Sequence, residues 1–304
     1  MRLRKGVLAS RLTTVAVGGE LSLLVEAETL FGLQSVLQLA SQFGITVSPL
    51  GFGSNSIFPD EAYPGCVVML TGEEFKNFDI GANGNVRVQS GFGLMRLARI
   101  TAQAGFSGLE FAAGIPASLG GAVRMNAGAH GGDIGGVLQS VRCISPQGEI
   151  FDLSHSELKF HYRRCFLPED AIILEARLHL VSGDALTIQS SLTKNLEYRK
   201  ATQPLTLPSF GSVFRNPAND NRSAGELLER IGAKGEERGG AMFSDLHANW
   251  IVNTARNATA QDVKSLMKWG QERVQDAFGV VLIPEVVEWG SPHCGIESSN
   301  GRRR

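Results

Sequence analysis

The chain has 304 residues and a formal net charge of -1, with 43% hydrophobic and 19% charged residues. That length holds two or three domains around large cores, and the balance of apolar and charged residues excludes a disordered chain. No stretch approaches the roughly 18 continuous apolar residues of a membrane helix, and a near-neutral chain has no electrostatic reason to seek nucleic acid.

The N-terminus opens basic, but no long apolar run follows, so no secretory signal is read there. Residues 21–27 predict a strand. Thr29 then fits an N-cap, and Leu30, Leu33, Val36, Leu37 and Ala40 make an apolar helical stripe. Residues 45–50 read as a second strand and 66–70 as a third, with the turn Gly51-Phe52-Gly53-Ser54-Asn55 between them. This βαβ order suggests a small α/β unit.

A second segment starts near Gly84. Residues 86–90 predict a strand, and Leu94, Leu97, Ala98, Thr101 and Ala102 a helix closed by Gly105. After a glycine-rich stretch, 137–145 and 149–153 read as a hairpin around Pro146-Gln147-Gly148. Residues 171–181 predict a strand and 186–198 a helix. A third segment begins near Pro204, with extended chain around 210–214. Ser223 and Glu226 form a capping-box pattern, and Thr259 caps a longer helix with the stripe Val263, Leu266, Met267, Gly270 and Val274. Residues 280–289 read as one strand, with Pro284 marking an edge or bulge, and residues from 291 onward as a disordered tail.

Four cysteines, Cys66, Cys143, Cys165 and Cys294, are far apart and form no C-x-x-C pair. They read as buried or free thiols of a reducing cytoplasm. The six histidines show no i, i+4 spacing, so no metal site is expected. Glycine is in excess, at 36 residues against roughly 21 for average usage. Ten fall between Gly105 and Gly136, where main chain must approach something closely or turn at positive φ.

The turn 51–55 presents backbone N–H groups, which suits either a phosphate cradle or an ordinary strand-ending loop. It is no dinucleotide fingerprint, since Ser56-Ile57-Phe58-Pro59 starts no helix, and no P-loop lysine follows. The belt 108–129 is small, apolar and nearly uncharged. Its glycines interrupt both helix and strand periods, so it is expected to be an irregular ligand cradle rather than a packed core loop. Arg163, in Tyr162-Arg163-Arg164-Cys165, suits a carboxylate or phosphate grip, or a surface ion pair. Ser212, in Ser209-Phe210-Gly211-Ser212-Val213-Phe214-Arg215-Asn216-Pro217, offers a hydroxyl but no hydrolase elbow. Glu285 stands among Ile283, Val286 and Val287, either buried at a cost or facing outward from an edge.

Taken in order, LGFGSNSIF (50–58), GLEFAAGIPASLGGAVRMNAGAHGG (108–132), YRRC (162–165), PSFGSVFRNP (208–217), SAGELLERIGAKG (223–235) and IPEVVEWG (283–290) resemble the UDP-N-acetylenolpyruvoylglucosamine reductase (MurB) family. Ala117, Cys165 and Arg215 depart from its usual pattern, which reads Gly, Ser and Lys there. The resemblance implies an α+β chain: a two-part FAD-binding fold of the vanillyl-alcohol-oxidase (PCMH) type over 1–80 and 81–203, and a C-terminal α+β substrate domain over 204–290. It implies a cytoplasmic flavoenzyme of peptidoglycan synthesis that takes hydride from NADPH through non-covalent FAD. The substrate is UDP-N-acetylglucosamine-enolpyruvate, with no obligate protein partner. It further implies Gly51, Gly53, Ser54, Asn55, Gly114, Ile115, Pro116, Ser118, Gly120, Gly121, Ala122, Asn126 and Gly128 as cofactor contacts, and Arg215 and Asn216 as substrate contacts. By the same carry-over, Arg163 and Glu285 stabilise the intermediate and Ser212 donates a proton to C2. A rival reading within the same fold is an oxidase with tethered flavin, for which His130 is the nearest tether.

Overall fold

The computed structural model describes residues 1–168 and 170–290, so Cys294 and the expected tail lie outside the described residues. The first part carries β1 (Arg2–Arg4), β2 (Val7–Leu8), β3 (Glu20–Ala27), α1 (Leu30–Gln42), β4 (Val47–Pro49), β5 (Ser56–Ile57) and β6 (Tyr63–Leu70). The βαβ reading holds: β3, β6 and β4 are parallel neighbours, and β1 and β2 add to β3 antiparallel. Thr29 caps α1 by accepting from the Gly32 N–H, and Leu33, Leu37 and Ala40 are buried.

The second part holds β7 (Phe78–Ile80), β8 (Asn85–Gln89), α2 (Leu94–Gln103), β9 (Phe106–Ser107), α3 (Leu119–Arg124), β10 (Gly128–Ala129), β11 (Gly132–Asp133), β12 (Leu138–Ile144), β13 (Ile150–Ser154), α4 (His155–Leu158), β14 (Ile172–His179), β15 (Val181–Ser182) and α5 (Ala185–Thr202). Its sheet runs β13-β12-β14-β8-β7, antiparallel throughout. Because β7 pairs with β8, sheet membership changes between Leu70 and Phe78, ahead of residue 80. The belt is more regular than expected. Ser118 caps α3 by accepting from the Gly121 N–H, and Leu119, Ala122 and Val123 are buried, which offsets the helix-weakening pair Gly120-Gly121.

The third part holds β16 (Ser209–Ser212), α6 (Ala224–Arg230), β17 (Glu237–Arg238), β18 (Ala241–Phe243), β19 (Trp250–Val252), α7 (Ala260–Phe278) and β20 (Val287–Glu288), with the sheet order β16-β19-β18-β17. Thr259 and Asp262 complete a capping box at α7; Ser223 caps α6, but only its own half of the box is present. The single strand expected over 280–289 is divided. Pro284 bridges Phe214, while Val287 and Glu288 run parallel to β5 in the first part. Pro284 has no N–H to continue a ladder, so the chain changes partner there.

The first and third parts share a core: Val15, Val17 and Ile57 pack with Phe214, Phe243 and Leu266. Asp60 accepts from the N–H groups of Ala260 and Gln261 (2.7 and 2.9 Å), so a first-part carboxylate binds the start of α7. The second part packs on the first through Ile144, Ile172 and Leu174. The turn 51–55 and the belt are thereby placed where the three parts meet.

Candidate functional site

The turn 51–55 and the belt face one another. A Cβ on Gly51 would stand 2.4 Å from Ser118 Oγ, so Gly51 and the start of α3 approach as only glycine allows. Gly53 has φ +63°, and a Cβ there would stand 1.9 Å from the Leu12 carbonyl oxygen. Beside this contact lies a cavity of about 190 Å³, walled by Gly51, Ser118, Gly120 and Gly121 and by apolar Leu50 and Val68.

Ser90 also lines this cavity; it is buried, and its Oγ has no hydrogen-bond partner. An unsatisfied buried hydroxyl costs on the order of 1–3 kcal/mol, so a ligand acceptor atom at that point removes a penalty. A glycine wall with an unused donor fits a flavin nucleotide. Ser90 carried no signal in the sequence, where it ends an ordinary amphipathic strand. Several other expected cofactor residues are engaged by the protein itself. Ala122 is core, Gly128 is pressed against Asp133, and Ser118 Oγ is already used at α3. The side chains of Asn55 and Asn126 are bonded to backbone carbonyls.

The three expected reacting residues come from three segments that the fold brings together. Arg163 Nε and Glu285 Oε1 are 2.8 Å apart, with side chains 21% and 16% exposed, so this is no surface pair. Arg163 occupies a two-residue turn closed by the His161 and Arg164 bridge, at φ +57°. That conformation costs a non-glycine residue on the order of 1–3 kcal/mol and persists only where neighbouring bonds impose it. The guanidinium also lies over the Tyr162 ring, 5.0 Å from its centroid.

Glu285 is tied to the Ser212 segment by its own N–H, which donates to the Val213 carbonyl at 2.8 Å. The next residue, Phe214, is held at both backbone groups by the Asn249 side chain (3.0 and 2.8 Å). Gly211, at φ +85°, has nothing within 4 Å of a built Cβ, so the backbone beside Ser212 faces open space. Burial pushes the Glu285 carboxyl above the usual carboxylate range, and the Arg163 and Arg215 guanidiniums pull it back.

Arg215 Nε is buried without a partner, while its backbone N–H donates to Ile283. Asn216 is exposed, and its Oδ1 accepts from Ala224 N–H at the start of α6. A residue given no role in the sequence reading is Arg199, buried in α5 and bonded to the Ala113 carbonyl and to Gln203. It has no carboxylate partner among the described residues, and burial with the nearby Arg163 charge lowers its pKa to about 10. Nothing in a mostly polar helix sequence distinguishes it. His130 is exposed at φ +51° and meets Tyr198 edge-on.

Comparison with known proteins bears on this arrangement. Residues 203–289 match the model for the C-terminal domain of UDP-N-acetylenolpyruvoylglucosamine reductase, and residues 21–154 match an FAD binding domain. UDP-N-acetylenolpyruvoylglucosamine reductase 1 of Bacillus cereus is 39% identical over 279 residues, 91% of each chain. Reductase 2 of Symbiobacterium thermophilum is 40% identical over 291 residues, 95% of this chain and 92% of that one. The crystal structure of UDP-N-acetylenolpyruvylglucosamine reductase from Thermus caldophilus superposes with a TM-score of 0.82 at 35% identity, over 95% of this chain and 99% of that one.

Proposed function

This chain belongs to the UDP-N-acetylenolpyruvoylglucosamine reductase family, and from that premise we propose that Arg163, Ser212 and Glu285 form its reacting corner. The chain is an FAD-containing oxidoreductase that reduces the enolpyruvyl group of UDP-N-acetylglucosamine-enolpyruvate to give UDP-N-acetylmuramate, with NADPH as hydride donor. The chemistry FAD supplies when bound is hydride relay from NADPH to C3 of the enolpyruvyl group.

The remaining work falls to the protein. Gly51, Ser90, Gly120 and Gly121 hold the cofactor against main chain. Arg163 grips the substrate carboxylate and, with the protonated form of Glu285 that burial favours, stabilises the negative charge that develops at C2 and the carboxylate. Ser212 donates its hydroxyl proton to C2. Arg215 and Asn216 meet the nucleotide sugar at the rim. The pair at 2.8 Å between Arg163 and Glu285, one backbone hydrogen bond from the Ser212 segment, carries this reading. We place the enzyme in the cytoplasm, on the reading that Cys66, Cys143 and Cys165 are free thiols of a reducing compartment; no helix among the described residues is long and apolar enough to cross a membrane. We divide the chain into a first part ending ahead of Phe78, a second running to 203 and a third over 204–290, the last part covering the substrate.

The test separates the two half-reactions. Ser212→Ala should leave reduction of the bound flavin by NADPH intact and slow its reoxidation by the enolpyruvyl nucleotide. Equal loss in both half-reactions removes Ser212 from the proton-transfer role.

A further inference from the structure

Asn55 ends the glycine turn and Asn126 follows α3 at the far end of the belt, so each closes one of the two cradle segments. Both side-chain amides are engaged by the protein itself. Asn55 Nδ2 donates to the Glu285 carbonyl at 3.1 Å, across 230 residues of chain, and the Asn55 carbonyl accepts the Val287 N–H at 3.0 Å. Asn126 is buried, at φ +41°. Its Nδ2 donates to the His161 carbonyl at 2.9 Å and to Asp133 Oδ2 at 3.2 Å, while its Oδ1 accepts the Gly135 N–H at 3.0 Å. His161 opens the tight turn that carries Arg163.

We propose that Asn55 and Asn126 are positioning residues that hold Glu285 and Arg163 in register from the two walls of the cofactor cradle. The inference rests on the reading of Arg163 and Glu285 given above. Its physical content is the number of fixed peptide groups. The Glu285 N–H is spent on Val213 and its carbonyl on Asn55, so both peptide planes flanking the residue are set, and with them the direction in which the carboxylate leaves the chain. The Arg163 turn is set in the same manner through His161. Asn126 suits the task because its side chain both donates and accepts, while Asn55 donates from its side chain and accepts at its backbone carbonyl. A misplacement of about 1 Å at a reacting group costs on the order of 10²-fold in rate, so hydrogen bonds made by the two asparagines control the placement of Arg163 and Glu285.

The experiment uses the FAD-loaded enzyme and measures FAD affinity and both half-reactions in Asn55→Ala and Asn126→Ala. Each variant is also combined with a substitution in the residue it is meant to hold, Glu285→Gln and Arg163→Lys respectively. Asn55→Ala should slow reoxidation by saturating enolpyruvyl nucleotide about tenfold more than it slows reduction by NADPH, a loss in kcat rather than KM. The pH profile of reoxidation should also shift against wild type, which a loss of general rigidity does not produce. In the Glu285→Gln background, Asn55→Ala should add little, because the group it positions is already altered.

Asn126→Ala should behave likewise against Arg163→Lys. If an alanine variant does not fold, Asn55→Asp or Asn126→Asp keeps the volume and removes the donor, and the same pattern is expected. Full additivity of Asn55→Ala with an effective Glu285→Gln overturns the inference alone. So does weaker FAD binding with normal half-reactions in the loaded fraction, which makes Asn55 a cradle contact. A Glu285→Gln variant with undiminished reoxidation instead overturns the reading of the reacting corner, and this inference with it.

Discussion

Added side chains meet different surroundings in the cavity wall and in the reacting corner. On the wall, a Cβ at Gly51 or Gly120 would lie 2.4 Å from Ser118 Oγ or 3.0 Å from Ser90 Cβ, and at Gly53, in the turn beside the wall, 1.9 Å from the Leu12 carbonyl oxygen. At Gly211, next to Ser212, it would meet nothing within 4 Å. The wall offers close main-chain approach, with one buried hydroxyl left over. The corner offers charge, in a largely buried ion pair, and open space beside the Ser212 backbone. Shape should therefore govern cofactor retention and charge should govern the second half-reaction, with each largely separable from the other.

The largest expected effect lies in the corner. Removing the Ser212 hydroxyl should cost on the order of 10²–10⁴ in the rate of flavin reoxidation by substrate, the usual contribution of a positioned acid, with FAD content unchanged. Glu285→Gln comes next, at roughly 10²–10³, the cost of removing one preorganised charge-stabilising group. Stopped-flow traces of the 450 nm flavin band read both.

A smaller effect, on a different quantity, comes from the glycine turn beside the wall. Gly53→Ala puts a methyl group into the Leu12 backbone at positive φ, so purified protein should lose bound FAD and melting temperature together. Gly211→Ala, also at positive φ but unobstructed, should cost only backbone strain of about 1 kcal/mol and keep its FAD. Equal loss of FAD in the two variants would erase the distinction between the regions.

The smallest expected effect is a pH dependence. Burial lowers the His247 pKa from the ordinary histidine value, helped by nearby Lys234, and its Nδ1 accepts the Asn249 N–H at 3.2 Å. The stability contributed by neutral His247 is therefore present above its unfolded value, about 6.5, and is lost as pH falls through the lower folded value. Asn249 also brackets Phe214, so acid should loosen the Ser212 segment first. His247→Leu should narrow the difference between melting temperatures at pH 7.5 and 5.5. An unchanged difference assigns the acid sensitivity elsewhere, for example to His130, whose pKa burial also lowers.

Much of this was readable before the fold was known, and unevenly. Thr29 and Thr259 cap the helices expected of them, and the hairpin around Pro146 forms between β12 and β13. These are local signals, carried within one or two turns of chain. The belt departs from its expected irregularity because Ser118 and three buried side chains are enough to hold α3 despite the glycines. The last strand misled because its apolar run looked continuous, while its hydrogen-bond partners change at Pro284 from the third part to the first.

The order of six motifs and the glycine excess determined from the linear chain alone which family it resembles and roughly where a cofactor lies, because residue type and spacing are local properties. Only the tertiary structure decided what each polar group bonds to. It gave the Asn55 amide to Glu285, set Arg163 at φ +57° against that carboxylate, and left the Ser90 hydroxyl as an unused donor on a cavity wall. Those choices join residues up to 230 positions apart, and a buried polar group takes whichever partner the packed chain brings within reach.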